Sequence, residues 1–137
     1  MPFTWNKDLS TGIADIDFQH RELLSRINTL IGGIKRRKKD REAVRGYIEY
    51  LREYVAFHFA AEEREMTEHR YPGLAEHEAE HDEFKKQVNQ IYRDYLSQGT
   101  SEEVFAETVW SSGVWFVNHI RNTDKKMAAF LMLRTKA

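Results

Sequence analysis

The sequence predicts an all-α protein, an up-and-down antiparallel four-helix bundle with an irregular N-terminal arm. Apolar residues recur at three- and four-residue spacing along four stretches. Only two prolines and seven glycines interrupt the chain. The connections between the stretches are short, which makes neighbouring helices antiparallel. At 137 residues and 41% hydrophobic content the chain has the size of one ordinary domain. No repeat, low-complexity segment or long linker marks a second, so residues 1–137 read as one domain.

The opening segment, Pro2 to Ile16, reads as an arm packed on the bundle through Phe3 and Trp5. The first helix runs from about Asp17 to Arg37 with Leu23, Leu24, Ile27, Leu30, Ile31 and Ile34 on one stripe. The second runs from about Arg41, capped by Asp40, to His69. It buries Val44, Ile48, Leu51 and Val55 before the stripe meets His58 and Glu62. A break at Tyr71, Pro72 and Gly73 precedes the third helix, which carries His77, His81, Phe84, Val88 and Ile91 to about Leu96 and ends at Gln98 and Gly99. The fourth opens with Thr100 and Glu103 at the spacing of a capping box and continues through Phe105, Val109, Trp115, Phe116 and His119.

Composition narrows the chemistry. With no cysteine, there is no disulfide framework and no thiolate ligand or nucleophile, so any metal must be held by nitrogen and oxygen. The 21 basic and 22 acidic residues leave a formal charge of -1, which gives no electrostatic reason to expect nucleic acid or an anionic membrane as partner. The one basic run, Lys35 to Arg41, lacks interleaved aromatics and reads as a solvated interhelix loop. No stretch has the length of a membrane span and the N-terminus has no leader pattern, so a cytoplasmic location is expected.

The histidines carry the functional signal. His20 lies in the first helix, His58 with Glu62 in the second, His77 with His81 in the third, and His119 followed by Asp124 in the fourth. Residues four apart on a helix are offset by only about 40°, so each such pair shares a face. Height along the bundle is the stronger test. His20 lies about 17 residues before the first loop and His58 about 17 after it, so both sit roughly 25 Å from that turn. The same reckoning brings His81 level with His119, and Glu62 with His77, within about one turn. His69 shares the angular face of His58 but lies roughly 16 Å farther along the axis, and reads as a helix-end histidine outside the group. His119 and Asp124, five apart, would diverge by about 140° on a regular helix, so a π-type widening or a break is expected there. Seven ligands exceed the needs of one ion and suit two ions sharing carboxylates.

Through His20 in DIDFQH, His58 and Glu62 in HFAAE, His77 and His81 in HEAEH, and His119 and Asp124 in HIRNTD, the sequence resembles the hemerythrin family, specifically its single-domain bacteriohemerythrins. Trp5 and the Tyr71–Pro72 turn are similar to family features, and the likeness spans nearly the whole chain. The resemblance implies a non-haem di-iron centre bridged by Glu62, Asp124 and a solvent-derived oxygen. One iron would take His77, His81 and His119; the other would take His20 and His58 and keep a position open for dioxygen. Leu24, Phe84 and Trp115, each near a ligand, are the candidate walls of an apolar dioxygen pocket. The expected function is reversible dioxygen binding for storage, delivery or sensing, rather than an enzyme activity. The alternatives are a di-iron peroxidase, oxidase or nitric oxide scavenger, and a redox signalling module whose protein partner the sequence does not identify. Ferritin-like oxygenases would need paired Glu-x-x-His motifs on two helices, and only Glu78 with His81 matches.

Overall fold

The computed structural model describes residues 3–36, 41–97 and 102–136. After a 3-10 turn at Lys7–Leu9, helix α1 spans Ala14–Arg36, α2 Arg41–Glu68, α3 Leu74–Ser97 and α4 Glu102–His119. A π-helical turn, Ile120–Asp124, leads directly into α5, Lys125–Lys136, so α4, the turn and α5 form one continuous arm of the bundle. Packing follows a ring: α1 lies against α2 and α4, and α3 against the same two. This is the up-and-down four-helix bundle expected from the apolar stripes. No helix among the described residues is long and apolar enough to cross a membrane.

The stripes meet as predicted. Leu23, Ile27 and Leu30 of α1, Ile48, Leu51 and Val55 of α2, Val88 and Ile91 of α3, and Phe105 and Val109 of α4 share one apolar cluster. A smaller cluster of Ile16, Met66, Met127 and Leu131 closes the other end. A polar layer lies between them. His20 falls between Ile16 and Leu23 in the chain, Glu62 between Phe59 and Met66, and Asp124 between Ile120 and Met127, each flanking residue being buried. Apolar packing on both sides keeps water from that layer and raises the cost of any polar atom left unpaired within it.

The arm is tied down by specific contacts. The Phe3 N–H donates to Asn28 Oδ1 at 3.0 Å, and Asn28 Nδ2 donates back to the Phe3 carbonyl at 2.7 Å. Its ring lies so close over Gly113 that a Cβ there would collide with it. Trp5 sits beneath the Arg21 guanidinium, 5.0 Å from the ring centroid. Helix α1 begins earlier than the sequence predicts, at Ala14 rather than near Asp17, so Ala14 to Ile16 belong to the helix and not to the arm. The reason is Asp17. Its carboxylate accepts from the Thr11 N–H and hydroxyl, both at 2.8 Å, and from Ser10 Oγ at 3.0 Å, which lashes the arm to the first turn from inside the helix.

α2 ends in a paired-carbonyl motif: the Tyr71 N–H donates to the Met66 carbonyl at 2.9 Å and the Arg70 N–H to Thr67 at 3.2 Å. Arg70 takes the left-handed position, φ 53°, usually given to glycine. The expected cap Asp40, the Thr100 half of the capping box, Gln98 and Gly99 at the end of the third helix, Pro2, and residues 37–40 of the basic run lie outside the described residues.

Candidate metal centre

Helical periodicity carries the seven candidate ligands into the polar layer, and none of them is more than 3% exposed. On α2, Glu62 sits one turn after His58, and its Oε2 lies 3.1 Å from His58 Nε2 and 3.1 Å from His20 Nε2. Its other oxygen faces α3, 3.1 Å from His81 Nε2 and 3.4 Å from His77 Nε2. Asp124 is divided in the same way. Its Oδ2 is 2.9 Å from His20 Nε2, while Oδ1 is 2.9 Å from His77 Nε2 and 3.1 Å from His119 Nε2.

That last distance depends on the π-helical turn. In a regular helix the five-residue spacing would swing Asp124 away from the face of His119; the widened turn at Ile120–Asp124 brings both inward. The distortion expected from the spacing is present at the expected place.

The side chains form two overlapping groups, Glu62, His77, His81, His119 and Asp124 in one and His20, His58, Glu62 and Asp124 in the other. Within each, one ligand atom per residue lies within 4.8 Å of the others. His69 joins neither; its Nδ1 is engaged by the Glu65 carbonyl at 2.9 Å.

The donor set fits a pair of cations on its own geometry. Nε2 of His58, His77 and His119 and both Asp124 carboxylate oxygens are buried, yet none makes a properly directed hydrogen bond. Five polar atoms aimed inward without hydrogen-bond partners are costly in an apolar core, and a metal ion that displaces the histidine protons is a partner that satisfies several at once. With nitrogen and carboxylate oxygen only, the set suits a borderline transition metal such as iron.

The ionisation of these groups follows from their mutual contacts. Burial by itself opposes charge on His20, but the close approach of the Asp124 and Glu62 carboxylates, 2.9 and 3.1 Å from its Nε2, outweighs it and pushes its pKa up to about 10. The same balance pushes His77 up to about 9 and raises His119. Burial, and for Asp124 the Glu62 charge, work against ionised carboxylates here. The surrounding histidines nevertheless hold Glu62 and Asp124 below the usual carboxylate range.

A second ring of contacts orients the histidines, and the sequence reading did not anticipate it. His81 Nδ1 donates to Glu63 Oε2 at 2.7 Å, His119 Nδ1 to Glu80 Oε1 at 2.8 Å, and His58 Nδ1 to Gln19 Oε1 at 2.8 Å. Phe59 stacks on His81 and Trp115 on His119. Of the predicted pocket residues, Trp115 and Phe84 stack on each other, 5.0 Å apart, and back the three-histidine group. Leu24 is buried in the main apolar cluster. The wall beside His20 and His58 is Phe116, whose ring meets theirs edge-on at 5.7 and 6.2 Å. A cavity of about 260 Å³ between α1, α2 and α5 reaches Gln19 and Glu62, on the His20/His58 side.

Comparison with known proteins agrees with this arrangement. The profile described as the hemerythrin HHE cation binding domain matches residues 11–131. A bacteriohemerythrin of Stenotrophomonas maltophilia is 36% identical over 124 residues, 90% of this chain and 78% of that protein. One from Methylococcus capsulatus is 28% identical over 123 residues, 89% of this chain and 91% of that protein. The crystal structure of a wild-type hemerythrin superposes with a TM-score of 0.85 at 27% identity, over 94% of this chain and 97% of that one. Ligand geometry, fold and sequence likeness all lead to one assignment: the chain belongs to the hemerythrin family.

Proposed function

We propose that this chain acts as one hemerythrin-like domain in the cytoplasm and binds dioxygen reversibly at a di-iron centre. His77, His81 and His119 would hold one iron, His20 and His58 the other, with Glu62 and Asp124 bridging. The observation that carries this reading is the pair of overlapping ligand groups sharing those two carboxylates. Iron held by these residues would supply reversible electron exchange with dioxygen.

The chain's own residues favour binding over turnover. Phe116, fully buried, stands edge-on to His20 and His58, so it gives the less crowded half of the centre an apolar wall on its inner side. Leu24, Phe84 and Trp115 complete the apolar surroundings. Gln19 holds the His58 ring with its Nε2 turned inward. Among the described residues, the buried polar side chains other than the seven are Thr11, Asn28 and Ser112. Each is hydrogen-bonded elsewhere, to Asp17, Phe3 and Thr108 respectively. None of the three is aimed at the centre, and the partly buried Glu63 and Glu80 are engaged by His81 and His119.

The test is an anaerobic titration of the diferrous protein with dioxygen, followed by its optical spectrum and then by removal of dioxygen under inert gas. The expected result is stoichiometric uptake that reverses on removal. Sustained consumption of dioxygen, peroxide or nitric oxide over many turnovers would replace the carrier reading with an enzymatic one.

A further inference from the structure

We infer that the protein fills its two metal positions in order, His77/His81/His119 before His20/His58, and that Glu63 and Glu80 are positioning residues that set this order. The inference rests on the reading of the seven buried side chains as a two-ion site.

The two positions are unequal in the number of ligands and in what stands behind them. The first gathers five side chains and the second four, with Glu62 and Asp124 common to both. Whichever ion arrives first therefore meets both carboxylates free, and the second meets them already engaged. The histidines decide which position is first. Behind the three-histidine position, two imidazoles rest on carboxylates, His81 on Glu63 and His119 on Glu80. Each position also holds one histidine whose Nδ1 is buried without a hydrogen-bond partner, His77 in the first and His20 in the second, so the contrast lies in the others: behind the two-histidine position His58 rests on the neutral amide of Gln19.

An acceptor behind Nδ1 keeps the proton there, leaves the Nε2 lone pair facing inward, and makes the imidazole a stronger donor; a carboxylate does this more than an amide. Glu63 and Glu80 also keep an edge toward solvent, at 26% and 39% exposed, which lowers the cost of placing negative charge beside a buried cluster. Glu80 is fixed in turn by Thr123, whose hydroxyl donates to the same Oε1 at 2.7 Å. Thr123 lies inside the π-helical turn. The widening that turns Asp124 inward thus also brings up the residue that locks the support of His119. The less supported position is the one beside the cavity at Gln19, so its ion is the more exchangeable of the two.

The experiment is a titration of the metal-free protein with Co(II), followed by calorimetry and visible absorption, with helicity checked for every variant. The wild type is expected to take two equivalents in two resolved steps. His58→Ala should keep the first step and lose the second, and His119→Ala should lose the tighter one. The pair Glu63→Gln and Glu80→Gln should weaken the first step by about 10- to 100-fold and leave the second in place. Gln19→Glu, which adds the missing carboxylate, should tighten the second step and narrow the gap, a gain that a merely structural role would not produce. A chelator should strip one equivalent well before the other. Two equivalents entering as a single step, equal weakening of both steps in the Glu63/Glu80 variant, or an unmoved second step in Gln19→Glu would overturn the inference. A wild-type stoichiometry of one or none would instead overturn the two-ion reading beneath it.

Discussion

The ring of Phe59 lies flat on the imidazole of His81, centroids 3.8 Å apart and planes 4° from parallel. Phe59 is fully buried and also touches Phe84 edge-on at 5.9 Å, so it joins the apolar core to the polar layer. Phe59→Ala should destabilise the fold by about 3–5 kcal/mol and free the His81 ring to tilt. Phe59→Leu should cost less because it keeps most of the volume. Thermal unfolding and metal retention after dialysis measure both effects. A Phe59→Ala protein that melts like the wild type would show that the stack contributes nothing.

Removing the metal should loosen the bundle. Five imidazoles and two carboxylates occupy a layer between two apolar clusters, and bound ions would give the inward atoms without hydrogen-bond partners theirs. The expected outcome is a lower melting temperature and faster amide exchange around His20, Glu62 and Asp124 in the metal-free protein. Equal melting curves with and without metal would contradict it.

The pH dependence of the metal-free protein follows from its shifted groups. His20, raised from 6.5 to about 10, and His77, raised to about 9, contribute stability that is complete below pH 6.5 and lost as pH rises through 9 and 10. Glu62 and Asp124 are depressed, so their contribution is present above the ordinary carboxylate range and lost as pH falls below it. Stability should therefore peak in mildly acidic solution and decline toward both extremes. Metal uptake should show the opposite slope on the alkaline side, tightening as pH rises from 6 to 9, because histidine protons must leave. Denaturant midpoints and competition titrations across pH check the two curves.

Phe116 meets His20 and His58 edge-on and lies 6.4 Å from His119, whereas Trp115 stacks on His119 at 5.0 Å. Phe116→Ala opens the wall beside His20 and His58, and Leu24→Ser places a hydroxyl in the apolar core one turn from His20. Both should keep iron content and shorten the lifetime of the dioxygen-bound protein by admitting water. Trp115→Ala, which uncovers His119, should have the smaller effect on that lifetime. Glu62→Ala and His81→Ala should instead lower iron per chain, as each removes a bond to the ions. Iron analysis beside the decay of the dioxygen absorption band distinguishes the classes. Iron loss in the wall variants with full loading in Glu62→Ala and His81→Ala would reverse the assignment.

The π-helical turn can be tested by shortening it. Deleting Asn122, an exposed residue in the turn, should restore regular α geometry and leave Asp124 four places after His119, an offset of about 40° that keeps both on one face. Helicity and metal loading should both persist, whereas inserting one alanine after Asn122 should turn Asp124 away by about 120° and lower the loading. Full loading in the insertion variant would mean that Asp124 is not a ligand.

Within one helix, position along the axis and angle around it follow from a fixed rise and turn per residue, so the chain alone determined much of this protein. The four apolar stripes, the common level of His20, His58, Glu62, His77, His81 and His119, the exclusion of His69, and the need for a distortion before Asp124 were all readable without coordinates. The start of α1 was placed three residues late because the bonds of Asp17 to Ser10 and Thr11 depend on how the arm folds back. Contacts between helices were decided only in the tertiary structure. Glu80 stands beside His81 in the chain but supports His119 across the bundle, Glu63 stands beside Glu62 but supports His81, and Gln19 stands beside His20 but supports His58. Likewise Phe116, and not its neighbour Trp115, walls the His20/His58 half. Which side chain reaches which neighbour depends on the rotation and crossing of packed helices. That is set by the interlocking of the whole core, and no local spacing encodes it.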